Sequence, residues 1–265
     1  MRKIILSLML VLFSGLIFGQ TLKKGMVAAF NAYDLTLRDN VSLDQFIRFN
    51  EEKYIPESEK AMPGTKMYQL IGDRGENKFH FGILQVFDDL ATRNKYYPVE
   101  NDTVASPAIM AIAPTLNALS QEAGKYILNT ERIYTDWITG ETSGINLNKG
   151  TVIALGSNDV TLKDNITFKD YMDFTEKKYN PAMEAAMPGL KIVTLRGDRG
   201  DQKFHSGEMW IFDNIDVRNK YFPSENDTQY SPALQNALDK MKVLIEENNN
   251  YVINSNRTYT DWIIR

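Results

Sequence analysis

Apolar residues along this chain follow two rhythms, every second position and every third or fourth, and the whole series of rhythms is written twice. Alternation over Met26–Tyr33 predicts a strand, and Thr151–Asn158 predicts its counterpart. Next come "SLDQFIRFNEEKYIPESEKAM" and "TFKDYMDFTEKKYNPAMEAAM", where Phe46, Phe49 and Tyr54 recur at helical spacing as Tyr171, Phe174 and Tyr179. Ser42 and Thr167 are the expected N-caps, Pro56 and Pro181 are expected to interrupt the helix, and Pro63–Gly64 and Pro188–Gly189 to stop it. Second strands are predicted at Lys66–Ile71 and Lys191–Arg196, and third strands at Lys78–Phe87 and Lys203–Phe212. A second helical region starts near Leu90 and Ile215, breaks at Pro98 and Pro223, and resumes after Pro107 and Pro232. Tyr126–Trp137 and Tyr251–Trp262 close each copy with a fourth strand.

A shift of 125 residues aligns Lys24–Gly140 with Lys149–Arg265 without a gap, and about 53 of the 117 positions are identical. Two copies are too few for a solenoid, so the chain reads as a tandem duplication of one small domain. Each copy reads βαββαβ, the ferredoxin-like plait, an α+β unit with one sheet face under two helices and the other bare. The second copy supplies the partner for the bare face. The expected architecture is therefore two ferredoxin-like repeats, 20–140 and 149–265, packed sheet to sheet as an intrachain pseudo-dimer. The segment 141–148, within "TGETSGINLNKG", reads as the linker.

The N-terminal "MRKIILSLMLVLFSGLIFGQ" has the order of a secretory signal peptide over 1–19: basic residues, an apolar core, a small residue at the cut. Export to the periplasm or the medium is the expectation, with no membrane span after cleavage. Loss of Arg2 and Lys3 leaves 28 basic residues (30 minus 2) against 34 acidic ones, a net charge near −6. No long basic run stands out, so nucleic acid is not an expected partner. The chain contains no cysteine, which excludes disulfides, thiolate metal sites and catalytic thiols.

The plait, the Pro–Gly before the second strand and the stretch "FGILQVFDDLATRNKYYP" resemble the dimeric α/β-barrel superfamily. That superfamily includes antibiotic-biosynthesis-type monooxygenases, EthD-like and NIPSNAP-like proteins and, as fused tandem forms, chlorite dismutase relatives. The pattern is also similar to that of secreted tandem proteins of Bacteroidota. The resemblance implies architecture and carries no diagnostic catalytic signature.

"GDRG" at 72–75 and 197–200 is expected to form a reversal between the second and third strands. Arg93 and Lys95 against Glu100 and Asp102, duplicated at Arg218, Lys220, Glu225 and Asp227, suggest ion pairs that order one loop. His80 and His205, the two histidines, fall on a mainly apolar strand face, where packing is the commoner role; neither a metal nor another cofactor is expected. Trp137 and Trp262 are expected where the halves meet.

Identity between the copies marks what the fold needs twice, so a site carried by one half should lie where they differ. The alternating face opposite the histidines differs most: Phe79, Phe81, Ile83, Gln85 and Phe87 against Phe204, Ser206, Glu208, Trp210 and Phe212. With Asn31, Tyr33, Gln69, Thr194 and Arg196 on neighbouring strands, Gln85, Glu208 and Trp210 give the apolar walls and sparse polar groups of a ligand pocket between the two sheets. Glu208 and Arg196 could pair there. The expected function is binding of a small, partly aromatic molecule. Two alternatives stay open: a cofactor-light enzyme of the monooxygenase or EthD-like kind, with Glu208, Arg196, Tyr33 or His205 as candidates, and an interaction module of an envelope or surface assembly.

Overall fold

The computed structural model describes residues 21–100, 104–142, 144–225 and 230–265. The expected signal peptide, Asp102 and Asp227 lie outside them. In chain order the elements are β1 (Thr21–Leu22), β2 (Val27–Leu37), α1 (Leu43–Phe49), α2 (Ile55–Ala61), β3 (Thr65–Gly75), β4 (Phe81–Phe87), α3 (Leu90–Tyr96), α4 (Pro107–Ala123) and β5 (Ile127–Thr139). Then follow β6 (Ile145–Asn146), β7 (Val152–Leu162), α5 (Phe168–Phe174), α6 (Asn180–Ala186), β8 (Leu190–Gly200), β9 (Ser206–Phe212), α7 (Ile215–Tyr221), α8 (Pro232–Asn248) and β10 (Val252–Ile264).

Local chemistry accounts for the helix ends. Ser42 Oγ accepts from the Gln45 backbone N–H while Gln45 Oε1 accepts from the Ser42 N–H, and Thr167 with Asp170 repeats this reciprocal cap. Pro56 and Pro181 do not break the first helix of either half. Each is absorbed by a π-helical turn just before it, Asn50–Tyr54 and Thr175–Tyr179, which removes the need for the proline's missing N–H.

The fold is α+β with one large antiparallel sheet. Strands β5-β2-β4-β3 form one four-stranded group and β10-β7-β9-β8 the other, the strand order of a ferredoxin-like plait. The groups do not merely face each other. Pairing of β5 with β8 and of β10 with β3 joins them edge to edge into a closed eight-stranded barrel. Those two seams use the segments expected to be reversals: Gly72–Gly75 and Gly197–Gly200 continue β3 and β8 and pair with Trp262–Thr260 and Trp137–Thr135. The actual reversals are 76–80 and 201–205.

Even-numbered residues of β2, β4 and β3 up to Leu70 point into the barrel, and so do odd-numbered residues of β7, β9 and β8 up to Leu195, with Trp137 of β5; the register shifts at the seams invert this parity, so that Arg74 and Arg199 face outward. Ala28, Leu70, Leu84, Val86, Ile153, Val193, Leu195, Met209 and Ile211 fill it with Trp137 and Trp262. The tryptophans are exchanged between the halves. Trp262 packs over Gly82, where an added Cβ would come within 3.0 Å of the indole, and Trp137 packs over Gly207 in the same way. The 141–148 segment contributes to this core too: β6 pairs with β1, and Leu22, Ile145 and Leu147 are buried in the same cluster. Directions alternate around the barrel, so β3 and β8 run the same way and both hairpins emerge at one end.

Candidate functional site

The space between the sheets is therefore packed, and the expectation of a pocket there is corrected. Cβ positions alternate across a strand, so filling the barrel with one parity sends the other outward beneath the helices. That outer set includes Asn31, Tyr33, Gln69, Gln85, Thr194, Glu208 and Trp210, the face on which the halves differ.

Two cavities lie on this outer face, at matching places in the two halves. The first has a volume of ≈540 Å³ and is lined from the sheet by Ala29, Asn31, Tyr33, Met67, Ile83, Gln85 and Phe87. Helices add Tyr54, Ser58, Met62, Leu116, Asn117 and Ser120, and Arg132, Tyr134, Asp136 and Arg199 stand along one side. The second, ≈290 Å³, is lined by Ala154, Trp210, Phe212, Arg218, Phe222, Glu225, Tyr259, Asp261 and Arg74 among others. Each of those nine is the 125-residue counterpart of a residue in the first cavity.

The difference in size follows from substitutions. Where the first half has Ser58, Gln85 and Ser120, the second has Met183, Trp210 and Ile245. These larger apolar side chains join one continuous cluster beneath the helices of the second half. In the first half the corresponding core is split in two, one cluster around Met62, Phe87 and Tyr96 and another around Phe46, Phe49 and Ile83. Cavity-lining residues belong to both.

The first cavity holds polar groups with spare hydrogen-bonding capacity. Ser58 is 1% exposed, and its Oγ has no partner among the described residues. Gln85 Nε2 donates to the Met62 sulfur at 3.8 Å, a weak acceptor. Burial raises the pKa of the Tyr33 hydroxyl above that of an ordinary phenol, with the Arg132 charge pulling the other way, and burial raises Tyr54 similarly. Buried hydroxyls and amides without protein partners are what a bound molecule or water would satisfy.

One wall is rigid. Arg93, 1% exposed, donates to Asp136 of its own half and to Asp198 of the other. Burial raises the pKa of Asp136 while Arg93 opposes the rise. Arg199, also from the second half, donates to the Tyr97, Pro98 and Val99 carbonyls and to Asn94 Oδ1. Glu100 accepts from the Gly200 N–H at 2.9 Å and from Lys203 Nζ at 2.6 Å. The second half mirrors this with Arg218, Asp261, Asp73, Arg74, Glu225, Gly75 and Lys78. The repeated phrases "GDRG", "RNKY" and "YTDW" are thus one reciprocal clasp between the halves. Arg93 and Glu100 take partners on the other half, where the sequence suggested pairs within one loop.

Among the sequence-derived candidates, Asn31, Tyr33 and Gln85 meet in the larger cavity and Trp210 lines the smaller. Gln69 is buried with neither amide atom partnered among the described residues, and Thr194 Oγ1 contacts Glu176 Oε1 at 2.5 Å; both lie on the helix-covered face outside these linings. Glu208 accepts from Trp210 Nε1 at 3.0 Å. Arg196 is exposed and forms no ion pair with Glu208, so the suggested pairing is not made. His205 sits just ahead of β9, not within it, with Nδ1 2.8 Å from Asp159, and His80 precedes β4 in the same manner.

Sequence reasoning missed Tyr54 and Ser58, from the first helical segment, Asn117 and Ser120, from α4, and Arg132 on β5. Comparing Ser58 with Met183, Asn117 with Lys242 or Ser120 with Ile245 would have exposed those three, but Tyr54 and Arg132 are the same in both copies and give no such signal.

No family model matches the chain, and no curated protein matches it. Solved structures similar to it include a proposed monooxygenase from Lactobacillus acidophilus (15% identity, covering 91% of this chain and 100% of that one, TM-score 0.45). An anthrone oxidase-like protein is similar at 10% identity, 92% and 94% coverage and a TM-score of 0.48. A heme-binding protein from Thermus thermophilus is similar at 9% identity, 93% coverage of each chain and a TM-score of 0.47. At TM-scores below 0.5 these similarities assign neither ligand nor reaction to this chain.

Proposed function

We propose that this chain is an exported binding protein for a small, partly aromatic molecule, built as an intrachain pseudo-dimer of two ferredoxin-like repeats. Its ligand occupies the first-half cavity between sheet and helices. One observation carries the reading: equivalent positions on the two helix-covered faces narrow to ≈290 Å³ against a continuous apolar core in the second half and leave ≈540 Å³, with Ser58 Oγ unpartnered among the described residues, in the first. Aromatic walls from Tyr33, Tyr54 and Phe87 suit a planar body, and Ser58, Gln85 and Tyr33 suit a few oriented hydrogen bonds.

The test is a native mass spectrum of the protein purified from its own host, beside a denatured control and beside Gln85→Trp, which imports the second half's residue. A bound mass is expected in the parent protein, lost on denaturation and absent from Gln85→Trp. A bound mass that survives Gln85→Trp with the fold intact overturns the reading.

A further inference from the structure

Arg132 lines the larger cavity where β5 runs out toward solvent. Its Nε donates to Asn31 Oδ1 at 2.8 Å, and its guanidinium lies 4.6 Å from the centroid of the Tyr134 ring. Asn31 is itself buried. One edge of the guanidinium is tethered and one face is stacked, which leaves Nη1 and Nη2 as a fork held in place.

The charges around it are already committed. Asp136 is taken by Arg93, Glu100 by Lys203 and the Gly200 N–H, and Arg199 by carbonyls and Asn94. Among the described residues no carboxylate lies within ion-pair distance of Arg132. A pre-oriented guanidinium fork matches a carboxylate bidentately, and stacking on an aromatic face does not consume those donors. In the second half position 156 is glycine where the first half has Asn31, so the tether has no side-chain equivalent there.

We infer that the ligand of this cavity is an aromatic acid whose carboxylate is bound by Arg132, with its ring inside among Tyr33, Tyr54 and Phe87. The inference rests on the cavity reading above and adds the charge of the ligand and the residue that selects it.

Calorimetry with 1-naphthoate and 1-naphthamide, equal in shape and different in charge, tests it. Naphthoate should bind roughly tenfold more tightly than naphthamide, as a charge-assisted hydrogen-bond pair provides. Arg132→Gln should erase that preference, and added salt should weaken only the acid. Gln85→Trp should abolish both. Equal affinity for acid and amide, or a preference that survives Arg132→Gln, overturns the carboxylate assignment; loss of both probes in Gln85→Trp would then still support the cavity. Binding of both probes unaffected by Gln85→Trp overturns the cavity itself, and failure of both to bind overturns the aromatic-acid class. Arg132 is exposed, so its replacement leaves the fold intact, which circular dichroism checks.

Discussion

Arg93 and Asp198 stand 105 residues apart in the chain and form a direct ion pair across the seam between the two halves. Arg218 and Asp73 form its counterpart. Each arginine also holds a buried aspartate of its own half, so every clasp ties a helix, the last strand of that half and the second strand of the other.

Removing the buried cation should cost more than removing a surface charge. Arg93→Leu leaves Asp136 desolvated and unpaired, and urea denaturation should show a loss of about 3–5 kcal/mol. The double variant Arg93→Leu/Asp136→Leu should recover part of that loss, because the buried carboxylate is gone and only the more exposed Asp198 is left without Arg93. A double variant less stable than the single would contradict this account of the clasp.

Glu100 gives the seam a pH dependence of definite sign. The Gly200 N–H and then Lys203 hold its carboxyl below the ordinary glutamate value in the folded protein. A depressed carboxyl contributes stability that is fully present above its unfolded pKa and is lost as pH falls through the folded one. The stability gap between the parent protein and Glu100→Gln should therefore be constant well above the ordinary glutamate pKa and shrink as pH falls below it. A gap that widens on acidification would reverse the assignment.

Gly200 and Gly25 share a left-handed backbone, with φ of +84° and +83°, but only Gly200 is crowded. A Cβ on Gly200 would fall 2.1 Å from the Tyr134 carbonyl oxygen across the seam, whereas one on Gly25 meets nothing within 4 Å. Gly25→Ala should cost about 1 kcal/mol of backbone strain. Gly200→Ala should cost about 3 kcal/mol or more, because strand β5 must shift as well. Equal losses in thermal melts would mean that the close approach is not maintained in solution.

Much of this architecture was legible because it is written twice. Ser42 and Thr167 cap as read, and Trp137 and Trp262 do pack across the halves. The barrel seams were not legible. "GDRG" looks like a turn because glycine supplies positive φ, yet Gly72 and Gly197 are there because strand backbone and hairpin backbone nearly touch: a Cβ would lie about 2 Å from the Asn77 or Gln202 carbonyl oxygen. Alternation put Phe79 and Phe204 within the third strands, Lys78–Phe87 and Lys203–Phe212, on the face opposite the histidines. They sit in the reversals at φ of 69° and 72° and are 79% and 87% exposed, since the strands begin only after the hairpin, at Phe81 and Ser206. On the candidate site, comparing the copies found Asn31, Tyr33 and Gln85. The face those residues occupy was legible, but which side of the sheet is wet depends on barrel closure, a long-range event that no local period encodes.

Closure also settles how this protein avoids its own kind. An open four-stranded sheet offers two rows of unpaired N–H and C=O groups, each a template for a stray strand from another molecule. Here β3 and β5 of one group are consumed by β10 and β8 of the other, so the barrel presents no bare edge. With both groups on one chain, that protection does not depend on meeting a second subunit and does not weaken on dilution. A crowded or concentrated compartment threatens it less than it would a single plait of the same sequence.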